Sequence, residues 1–192
     1  MNSSDQLKRD IVFETTLRGH RMTFHSTWGL FSPRSVDDGS FLLLKHLTLR
    51  DDDVTLDLGC GYGAIGLAVA KDCPRGSVHL VDKDFVAVAH AEKNARINGL
   101  TNCRAYLSNA FGAVGEARFD NVVSNLPANV GKEMLSIILR DAWEHLEDGG
   151  QIVVVTVAGL RRFIRRNFEA VFGNYEKLKQ GRTHAVARAV KR

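Results

Sequence analysis

A glycine-rich segment contains the first residues whose types and spacing could do chemistry. In LDLGCGYGAIG, residues 56–66, Gly59, Gly61 and Gly63 directly follow an apolar run and precede a helical pattern. Glycines at such a junction permit a tight turn and let the backbone approach a ligand without an intervening Cβ. Asp82 ends a second apolar run about 20 residues later, where nucleotide-binding α/β folds place the carboxylate that accepts from ribose hydroxyls. The spacing therefore predicts a site for a ligand that contains a nucleoside.

Charged residues around this glycine loop indicate which ligand it would hold. Asp57 lies in the apolar run just before the loop, where a carboxylate could face a cationic amino-acid group. Gly63 adds one more glycine, and no cluster of Arg or Lys is present to bind a pyrophosphate. These features favour S-adenosylmethionine over a nicotinamide dinucleotide. The alternative is that the glycines only allow a helix to pack closely on a strand.

The segment DNVVSNLPANVGKE, residues 120–133, is typical of a buried strand that ends in a side-chain amide, Asn125. Pro127 ends the strand because it has no N–H, and it forces the residue before it into an extended conformation. An Asn-x-Pro tripeptide is usually an ordinary strand exit. Its second interpretation is an amide that is held beside a stiffened backbone to bind a substrate.

Charge is distributed unevenly along the chain, whose net charge is +4. Residues 159–192 contain ten Lys or Arg and two Glu, whereas the preceding residues contain 16 basic and 20 acidic side chains. A basic C-terminal segment of this kind is typical of contact with a polyanion, although a solvated helix face and tail would give the same pattern. Four of its arginines share one side of a predicted helix: Arg161, Arg162, Arg165 and Arg166.

The composition, with 44% hydrophobic and 25% charged residues, is that of one soluble globular domain. No apolar run reaches the roughly 18 residues of a membrane span. The polar start MNSSDQLKRD lacks the apolar core of a secretory signal. Three cysteines without C-x-x-C spacing and seven scattered histidines predict neither disulfides nor a metal site. We therefore expect a protein of the reducing cytosol that binds no metal and no membrane.

The order of elements predicts an α/β fold. Residues 11–26 suggest a hairpin that turns at Arg18-Gly19-His20, and a helix is expected over 35–47. Strands then follow at 54–59, 77–82, 103–107, 119–124 and 151–157, separated mostly by helices at 64–72, 85–98, 132–146 and near 159–171. Two strands near 174–179 and 183–190, joined at Gly181, must be antiparallel because no helix fits between them. The helix over 85–98 is expected to place one set of apolar residues at helical spacing: Phe85, Val88, Ala89, Ala95 and Ile97.

This order implies a doubly wound, mostly parallel seven-stranded sheet with a C-terminal antiparallel hairpin, preceded by an N-terminal β-hairpin. The chain thereby resembles class I S-adenosylmethionine-dependent methyltransferases, whose sheet ends in the same kind of hairpin. More narrowly, roughly residues 11–190 are similar to the methyltransferase small domain group, which includes the small-subunit ribosomal RNA guanine-N2 methyltransferases. The resemblance implies a single domain over residues 1–192, with an N-terminal extension over 1–30 and a catalytic core over 31–192.

Individual segments carry this resemblance. GLFSPRSVDDGSFLLL (29–44) resembles the segment that closes over the cofactor, and LDLGCGYGAIG resembles the cofactor loop. VDKD (81–84) resembles the ribose site and SNAF (108–111) the turn that contacts adenine. The residues that the resemblance implies for cofactor binding are Phe31, Asp57, Gly59, Cys60, Gly61, Tyr62, Gly63, Asp82, Lys83, Asn109, Ala110 and Asn125.

SNLPANVGKE lies where the group carries an Asn-Pro-Pro motif, and the resemblance therefore assigns catalytic roles. Asn125 and the Leu126 carbonyl would accept hydrogen bonds from the target amine, and Pro127 would stiffen the turn. Such positioning, without covalent chemistry, would direct the lone pair of the amine at the methyl sulfonium.

Two positions depart from the pattern of the group. Ala128 stands where an aromatic residue commonly follows and cannot stack a base, so Trp28, Phe31 or Phe24 would have to do so. Asn109 stands where many relatives carry an acid, although its amide oxygen can still accept from adenine N6. The residues expected to contact the substrate are Trp28, Lys132, Arg161, Arg162, Arg165 and Arg166.

The resemblance implies a cytoplasmic S-adenosylmethionine-dependent N-methyltransferase that acts on an exocyclic amine of RNA, with guanine N2 in ribosomal RNA as the expected target. The basic segment over residues 159–192 fits a phosphate-rich partner. Two other interpretations stay open. One is methyl transfer to a protein amide or a small-molecule amine, and the other is a non-catalytic module that binds cofactor or RNA. The sequence does not specify the RNA, the modified nucleotide or the oligomeric state.

Overall fold

The protein folds into a small N-terminal sheet and a large central sheet covered by helices. The computed structural model describes residues 10–127 and 130–192, so Ala128 lies outside the described residues. Strands β1 (Ile11–Leu17) and β2 (His20–Ser26) form an antiparallel pair. The large sheet contains β3 (Val54–Leu58), β4 (Ser77–Asp82), β5 (Cys103–Leu107), β6 (Phe119–Asn125), β7 (Leu146–Val157), β8 (Glu176–Gln180) and β9 (His184–Val190).

The helices are α1 (Asp38–His46), α2 (Ala64–Asp72), α3 (Phe85–Ile97), α4 (Lys132–His145) and α5 (Arg161–Phe172). A short 3-10 helix, Ala158–Leu160, joins β7 to α5. No helix in the described part of the chain has the length and apolar character needed to cross a bilayer.

The large sheet confirms the predicted fold class. Its strand order is β5-β4-β3-β6-β7-β9-β8. Strands β5, β4, β3, β6 and β7 run parallel, and β9 pairs antiparallel with both β7 and β8. The strand order reverses between β3 and β6, and ligands of open α/β sheets bind outside the carboxyl ends of the strands at such a point. The loops after β3, β4 and β6 all leave the sheet at this edge.

Two apolar cores cover the two faces of the sheet. Strand side chains alternate between the faces, so Val123 packs with α1, α2 and α3, whereas Val122 packs with α4 and α5. Strands that are buried on both faces have continuous apolar runs, which explains why the short runs could be identified as strands.

The N-terminal hairpin turns at Arg18 and Gly19, whose φ angles are 48° and 87°. Two positive φ values are what a two-residue hairpin turn requires, and an arginine adopts this conformation only at a cost. Contacts with the rest of the protein hold it there: the Arg18 guanidinium pairs with Asp72 and donates to the Leu47 carbonyl at 2.9 Å. The predicted hairpin is therefore confirmed, and its turn is anchored on α1 and α2.

Asn94 on α3 and Asn98, which directly follows this helix, bind the free edge of β2. Asn94 accepts from the backbone nitrogen of His25 at 2.7 Å and donates to the His25 carbonyl at 2.9 Å. One turn later, Asn98 forms the same pair of hydrogen bonds with Thr23, at 3.1 and 2.8 Å. These side chains supply the hydrogen bonds that a neighbouring strand would make.

This contact also determines which face of α3 is buried. The helix exists, but its fully buried residues are Ala87, Ala91 and Asn94, which face the sheet and the hairpin. Phe85 is 75% exposed and Ile97 44% exposed, so neither is a core residue. The periodicity of apolar residues could not identify this face because an asparagine forms part of it.

Two element boundaries also differ from the predictions. Helix α1 begins at Asp38 and not at residue 35, because the Asp37 side chain caps the helix by accepting from Gly39 N and Ser40 N. Strand β7 begins at Leu146, five residues before its predicted start at Gln151, because Leu146 already pairs with Phe119 of β6.

Candidate functional site

The glycine loop between β3 and α2 leaves its backbone open. Gly59 N and Cys60 N donate to the Val81 carbonyl at 2.9 and 3.0 Å, which fixes the loop against the end of β4. Gly59 and Gly61 have φ angles of 75° and 56°, in the left-handed region that favours glycine. A Cβ on either residue would meet no atom of the described residues within 4 Å. The loop therefore offers a bare backbone surface to a ligand.

Gly66 has a different role, because it lies in the first turn of α2, where the helix packs against the sheet. A Cβ there would lie 2.8 Å from the Leu80 side chain and 2.9 Å from Asp57 Oδ2. The segment therefore contains a glycine that serves helix packing as well as glycines that leave the backbone open. Gly66 permits close packing of a helix on strands, whereas Gly59 and Gly61 border open space.

Asp82 lies beside the glycine loop, as its spacing from the loop predicted. Its Oδ2 accepts from Gly61 N at 2.9 Å, and its Oδ1 accepts from Asp84 N at 3.0 Å. A carboxylate offers about four acceptor positions, so each oxygen retains one for a ligand hydroxyl. The side chain is only partly buried, which leaves this capacity accessible.

Asp57 is buried beneath the loop. Its Oδ2 accepts from Gly66 N at 2.7 Å. Burial raises the pKa of Asp57 to about 7, with the negative charge of Asp82 as a smaller cause in the same direction and the Gly66 N–H opposing both. The structure thus shows Asp57 supporting the start of α2, and its expected contact with a cationic group stays a prediction. A cation bound nearby would favour the ionised form.

Two loop side chains point away from the open surface. The Tyr62 ring packs against Phe13 and Phe24, with centroids 5.8 and 5.7 Å away, and its hydroxyl donates to the Ser35 carbonyl at 3.2 Å. It ties the glycine loop to the segment before α1. Cys60 is also buried, and burial raises the pKa of its thiol. Any ligand contact of Tyr62 or Cys60 would be made by backbone atoms.

The three aromatic residues considered for stacking a base differ in exposure. Phe24 is fully buried in the aromatic cluster, so its proposed stacking role is wrong. Phe31 is 70% exposed, and Trp28 is 44% exposed with the Arg34 guanidinium 4.6 Å from its ring centroid. Both remain accessible in the segment between β2 and α1.

The turn after β5 lies next to Asp82. Ser108 N donates to the Asp82 carbonyl at 2.9 Å, and the Ser108 hydroxyl donates to the Ala110 carbonyl at 2.6 Å. Ala110 has a positive φ of 50°, and the Asn109 side chain is exposed at the tip of the turn. Lys83 is exposed as well. The structure therefore brings Asn109 and Ala110 to the same edge of the sheet as Asp82 and the glycine loop.

Asn125 ends β6 at this edge, and its amide is fixed by α1. The Asn125 Nδ2 atom lies 3.0 Å from Asp37 Oδ1 and 3.1 Å from Ser40 Oγ. Leu126 N donates to the Val155 carbonyl at 3.0 Å, which fixes the chain as it leaves the strand towards Pro127. Asn125 Oδ1 receives no hydrogen bond from the described residues. It is left as an acceptor at the carboxyl end of β6.

The sequence interpretation did not single out Asp37 or Ser40. The Asp37-Asp-Gly-Ser40 pattern before an apolar run is a helix-cap signal and could have located the start of α1. Nothing in it indicates the contact with a residue 88 positions away.

The basic residues of the predicted substrate site are only partly brought together. Lys132 opens α4, and Arg161 and Arg162 form the first turn of α5, so all three lie near the carboxyl edge of the sheet. Arg165 and Arg166 lie one turn further from this edge. Arg165 also pairs with Glu169 at 2.8 Å.

One basic residue at this edge was missed from the sequence. Arg182 is exposed in the turn between β8 and β9, and Ala158 N donates to the adjacent Thr183 carbonyl at 2.8 Å. This hydrogen bond holds the turn beside the start of α5. Among residues 10–127 and 130–192, no group of three or more His, Cys, Asp or Glu side chains could hold a metal ion.

The chain is similar to known proteins in both sequence and fold. The methyltransferase small domain family matches residues 21–188. Ribosomal RNA small subunit methyltransferase C of Salmonella choleraesuis is 32% identical over 173 residues, which cover 88% of this chain and 49% of that protein. The Bacillus subtilis protein YbxB is 37% identical over 141 residues, which cover 72% of this chain and 70% of YbxB.

A solved structure, the T. thermophilus 16S rRNA N2 methyltransferase in complex with AdoMet and guanosine, matches with a TM-score of 0.85 and 32% identity. The match covers 94% of this chain and 50% of that one. The chain thus spans about half the length of the two ribosomal RNA methyltransferases.

Proposed function

The chain belongs to the methyltransferase small domain family, and from this we propose that it is an S-adenosylmethionine-dependent N-methyltransferase whose acceptor is an exocyclic amine of RNA. The target proposed is guanine N2 in ribosomal RNA, which would place the enzyme in the cytoplasm. The observation that carries the proposal is the Asn125 amide, whose nitrogen is bound to Asp37 and Ser40 while its oxygen receives no hydrogen bond from the described residues.

The residues at the carboxyl edge of the sheet fit S-adenosylmethionine. The bare backbone at Gly59 and Gly61 has room for the amino-acid part of the cofactor, and Asp82 retains acceptor positions for ribose hydroxyls. Asn109 and Ala110 would border the adenine. When bound there, S-adenosylmethionine would supply a methyl group that is activated by a positively charged sulfur.

Asn125 Oδ1 and the Leu126 carbonyl would accept the two N–H groups of the target amine. Both acceptors lie on a chain segment that is fixed by the hydrogen bond from Leu126 N to Val155. Holding the amine by its hydrogens directs its lone pair, and the two oxygens stabilise the positive charge that develops on the nitrogen. The proton that the methylated nitrogen loses would pass to water.

Positive charge near the acceptor residues supports RNA as the substrate class. Lys132, Arg161, Arg162 and Arg182 lie around the carboxyl edge and would contact phosphates on either side of the target nucleotide. Trp28 or Phe31 would stack the base. Contacts with phosphates are the main source of affinity for nucleic acids, and they carry little sequence information. The selection of one nucleotide would therefore depend on RNA structure around the cleft.

The test is incubation of the protein with radiolabelled S-adenosylmethionine and unmodified ribosomal RNA transcripts, with protein extract and small metabolites in parallel. We expect label in RNA, recovered as N2-methylguanosine after digestion to nucleosides, and an initial rate of labelling that is roughly 100-fold lower with Asn125→Ala. Label in protein or in metabolites would show that the acceptor is of that class and not RNA. If the protein binds the cofactor in calorimetry but labels nothing, it is a non-catalytic module.

A further inference from the structure

An asparagine amide has two nearly isosteric ends, and only one of them can serve the proposed reaction. The oxygen accepts from an amine N–H, whereas the NH2 group would point its own hydrogens at those of the amine. A rotation of the amide by 180° would therefore abolish the proposed function of Asn125. The protein must fix which end faces the cleft.

Asp37 fixes it directly, because a carboxylate accepts hydrogen bonds and cannot donate one. With the observed orientation, Asn125 Nδ2 donates to Asp37 Oδ1 at 3.0 Å. After rotation, the amide oxygen would meet a carboxylate oxygen at a similar distance. Repulsion between the two oxygens disfavours that orientation, and the hydrogen bond to a charged acceptor favours the observed one.

Asp37 also fixes the second partner of the amide. The Ser40 hydroxyl donates its single proton to Asp37 Oδ2 at 2.6 Å. Its oxygen can then only accept from Asn125 Nδ2, which lies 3.1 Å away. One carboxylate thus makes both neighbours of the amide into acceptors.

The carboxylate is itself held in place by α1. Asp37 Oδ1 accepts from Gly39 N at 2.9 Å and from Ser40 N at 3.1 Å, at the helix N-terminus, where the helix dipole favours negative charge. Gly39 leaves the necessary space, because a Cβ at this position would lie 2.9 Å from Asp37 Oδ1.

We propose that Asp37 is a positioning residue that orients the Asn125 amide, so that its oxygen faces the acceptor amine. The proposal rests on the function proposed above. It extends the catalytic arrangement from the end of β6 to the start of α1. The segment before α1 is in turn tied to the glycine loop by the Tyr62 hydroxyl.

The test uses Asp37→Ser, which keeps the helix cap, since Ser caps helices as well as Asp. A serine hydroxyl can donate as well as accept, and without the carboxylate the Ser40 proton can turn towards Asn125, so either end of the Asn125 amide can find a partner. We expect single-turnover methyl transfer to fall at least roughly tenfold. Cofactor affinity should stay within about twofold and the melting temperature should be unchanged. The matched control is Asp38→Ser, which makes the same substitution on the exposed neighbour and should leave the rate unchanged.

A double-mutant cycle separates positioning from a structural effect. In the Asn125→Ala background there is no amide to orient, so Asp37→Ser should change the rate less than about twofold. A normal rate in Asp37→Ser, an additive loss in the double variant, or a loss that accompanies weaker cofactor binding or a lower melting temperature would each overturn the proposal.

A second measurement does not depend on activity. Both Asn125 side-chain N–H groups are hydrogen-bonded, so their NMR signals, assigned by their disappearance in Asn125→Ala, should exchange slowly with water. We expect this protection to be lost in Asp37→Ser and retained in Asp38→Ser. If the enzyme methylates no RNA but the protection follows this pattern, the substrate is wrong and the orienting role stands. Unprotected signals in the wild-type protein would refute the orienting role.

Discussion

Asp82 Oδ2 accepts a hydrogen bond from Gly61 N at 2.9 Å, so the carboxylate that ends β4 holds the glycine loop that follows β3. One side chain would then serve twice: it shapes the loop and offers acceptors to ribose hydroxyls. The two contributions can be separated by substitutions that remove different numbers of acceptors.

Asp82→Ala is expected to weaken S-adenosylmethionine binding by about 1.5–3 kcal/mol, because a charged hydrogen-bond acceptor is lost. Asp82→Asn keeps one acceptor oxygen for Gly61 N and should therefore lose less affinity for the cofactor than Asp82→Ala. Titration calorimetry of the wild-type and both variant proteins measures this order. Equal affinities in all three proteins would remove Asp82 from the cofactor site.

Asn125→Ala is expected to lower methyl transfer by ~10²-fold or more, which corresponds to a loss of ~3 kcal/mol in transition-state stabilisation. Alanine accepts no hydrogen bond and leaves the amine unoriented. Cofactor affinity should change less than about twofold, because the amide faces the acceptor side of the cleft. The measurement is single-turnover transfer at saturating cofactor. A wild-type rate in this variant would make Asn125 an ordinary strand exit.

Reversal of Arg161, Arg162, Arg165 and Arg166 to Glu is expected to weaken RNA binding and flatten its dependence on salt. Each phosphate contact contributes about 0.7–0.9 to the slope of log affinity against log salt concentration. Because Arg161 and Arg162 lie nearer the cleft, their double reversal should account for most of the change. Filter binding at several salt concentrations measures the slope.

The matched control reverses Arg75 and Arg96, which are exposed near the amino ends of the strands. It alters the net charge by the same amount as the Arg161 and Arg162 pair. If the two pairs have equal effects, the helix arginines act only through net charge and not through contact with phosphates.

The raised pKa of Asp57 predicts that the stability of the folded protein depends on pH. Its pKa is raised to about 7 in the folded protein by burial, whereas an aspartate in an unfolded chain titrates near 3.9. Between these values the folded state binds more protons, so the free energy of unfolding falls as pH rises from about 4 to about 7. Asp57→Asn stays neutral and should lack this decrease. Urea denaturation of both proteins across this range tests the difference, and parallel curves would contradict it.

Local patterns predicted the parts of the fold that depend on local interactions. The bounds of β4 and β5 agree with their apolar runs, and the glycine loop and Asp82 were found because both directly follow strands. The start of β7 was missed, since Leu146 joins the strand through its pairing with Phe119 and not through its own pattern.

The candidate site was harder to predict where it depends on contacts between distant segments. The role of Asn125 was proposed from its place beside Pro127, but its partner Asp37 lies 88 residues earlier in the chain. Arg182 reaches the same edge only because β9 runs back along β7 and brings the preceding turn to the start of α5. The exposure of Phe85 and the burial of Phe24 likewise depend on where the N-terminal hairpin packs.

Strand β8 forms one outer edge of the large sheet, and it carries Lys177 and Lys179, both exposed. An edge strand presents unpaired backbone groups that another polypeptide can use as a template, and lysines oppose such pairing because their charges resist desolvation. Part of the positive charge in residues 159–192 therefore opposes aggregation of the folded protein through strand addition, independently of any role in binding a partner.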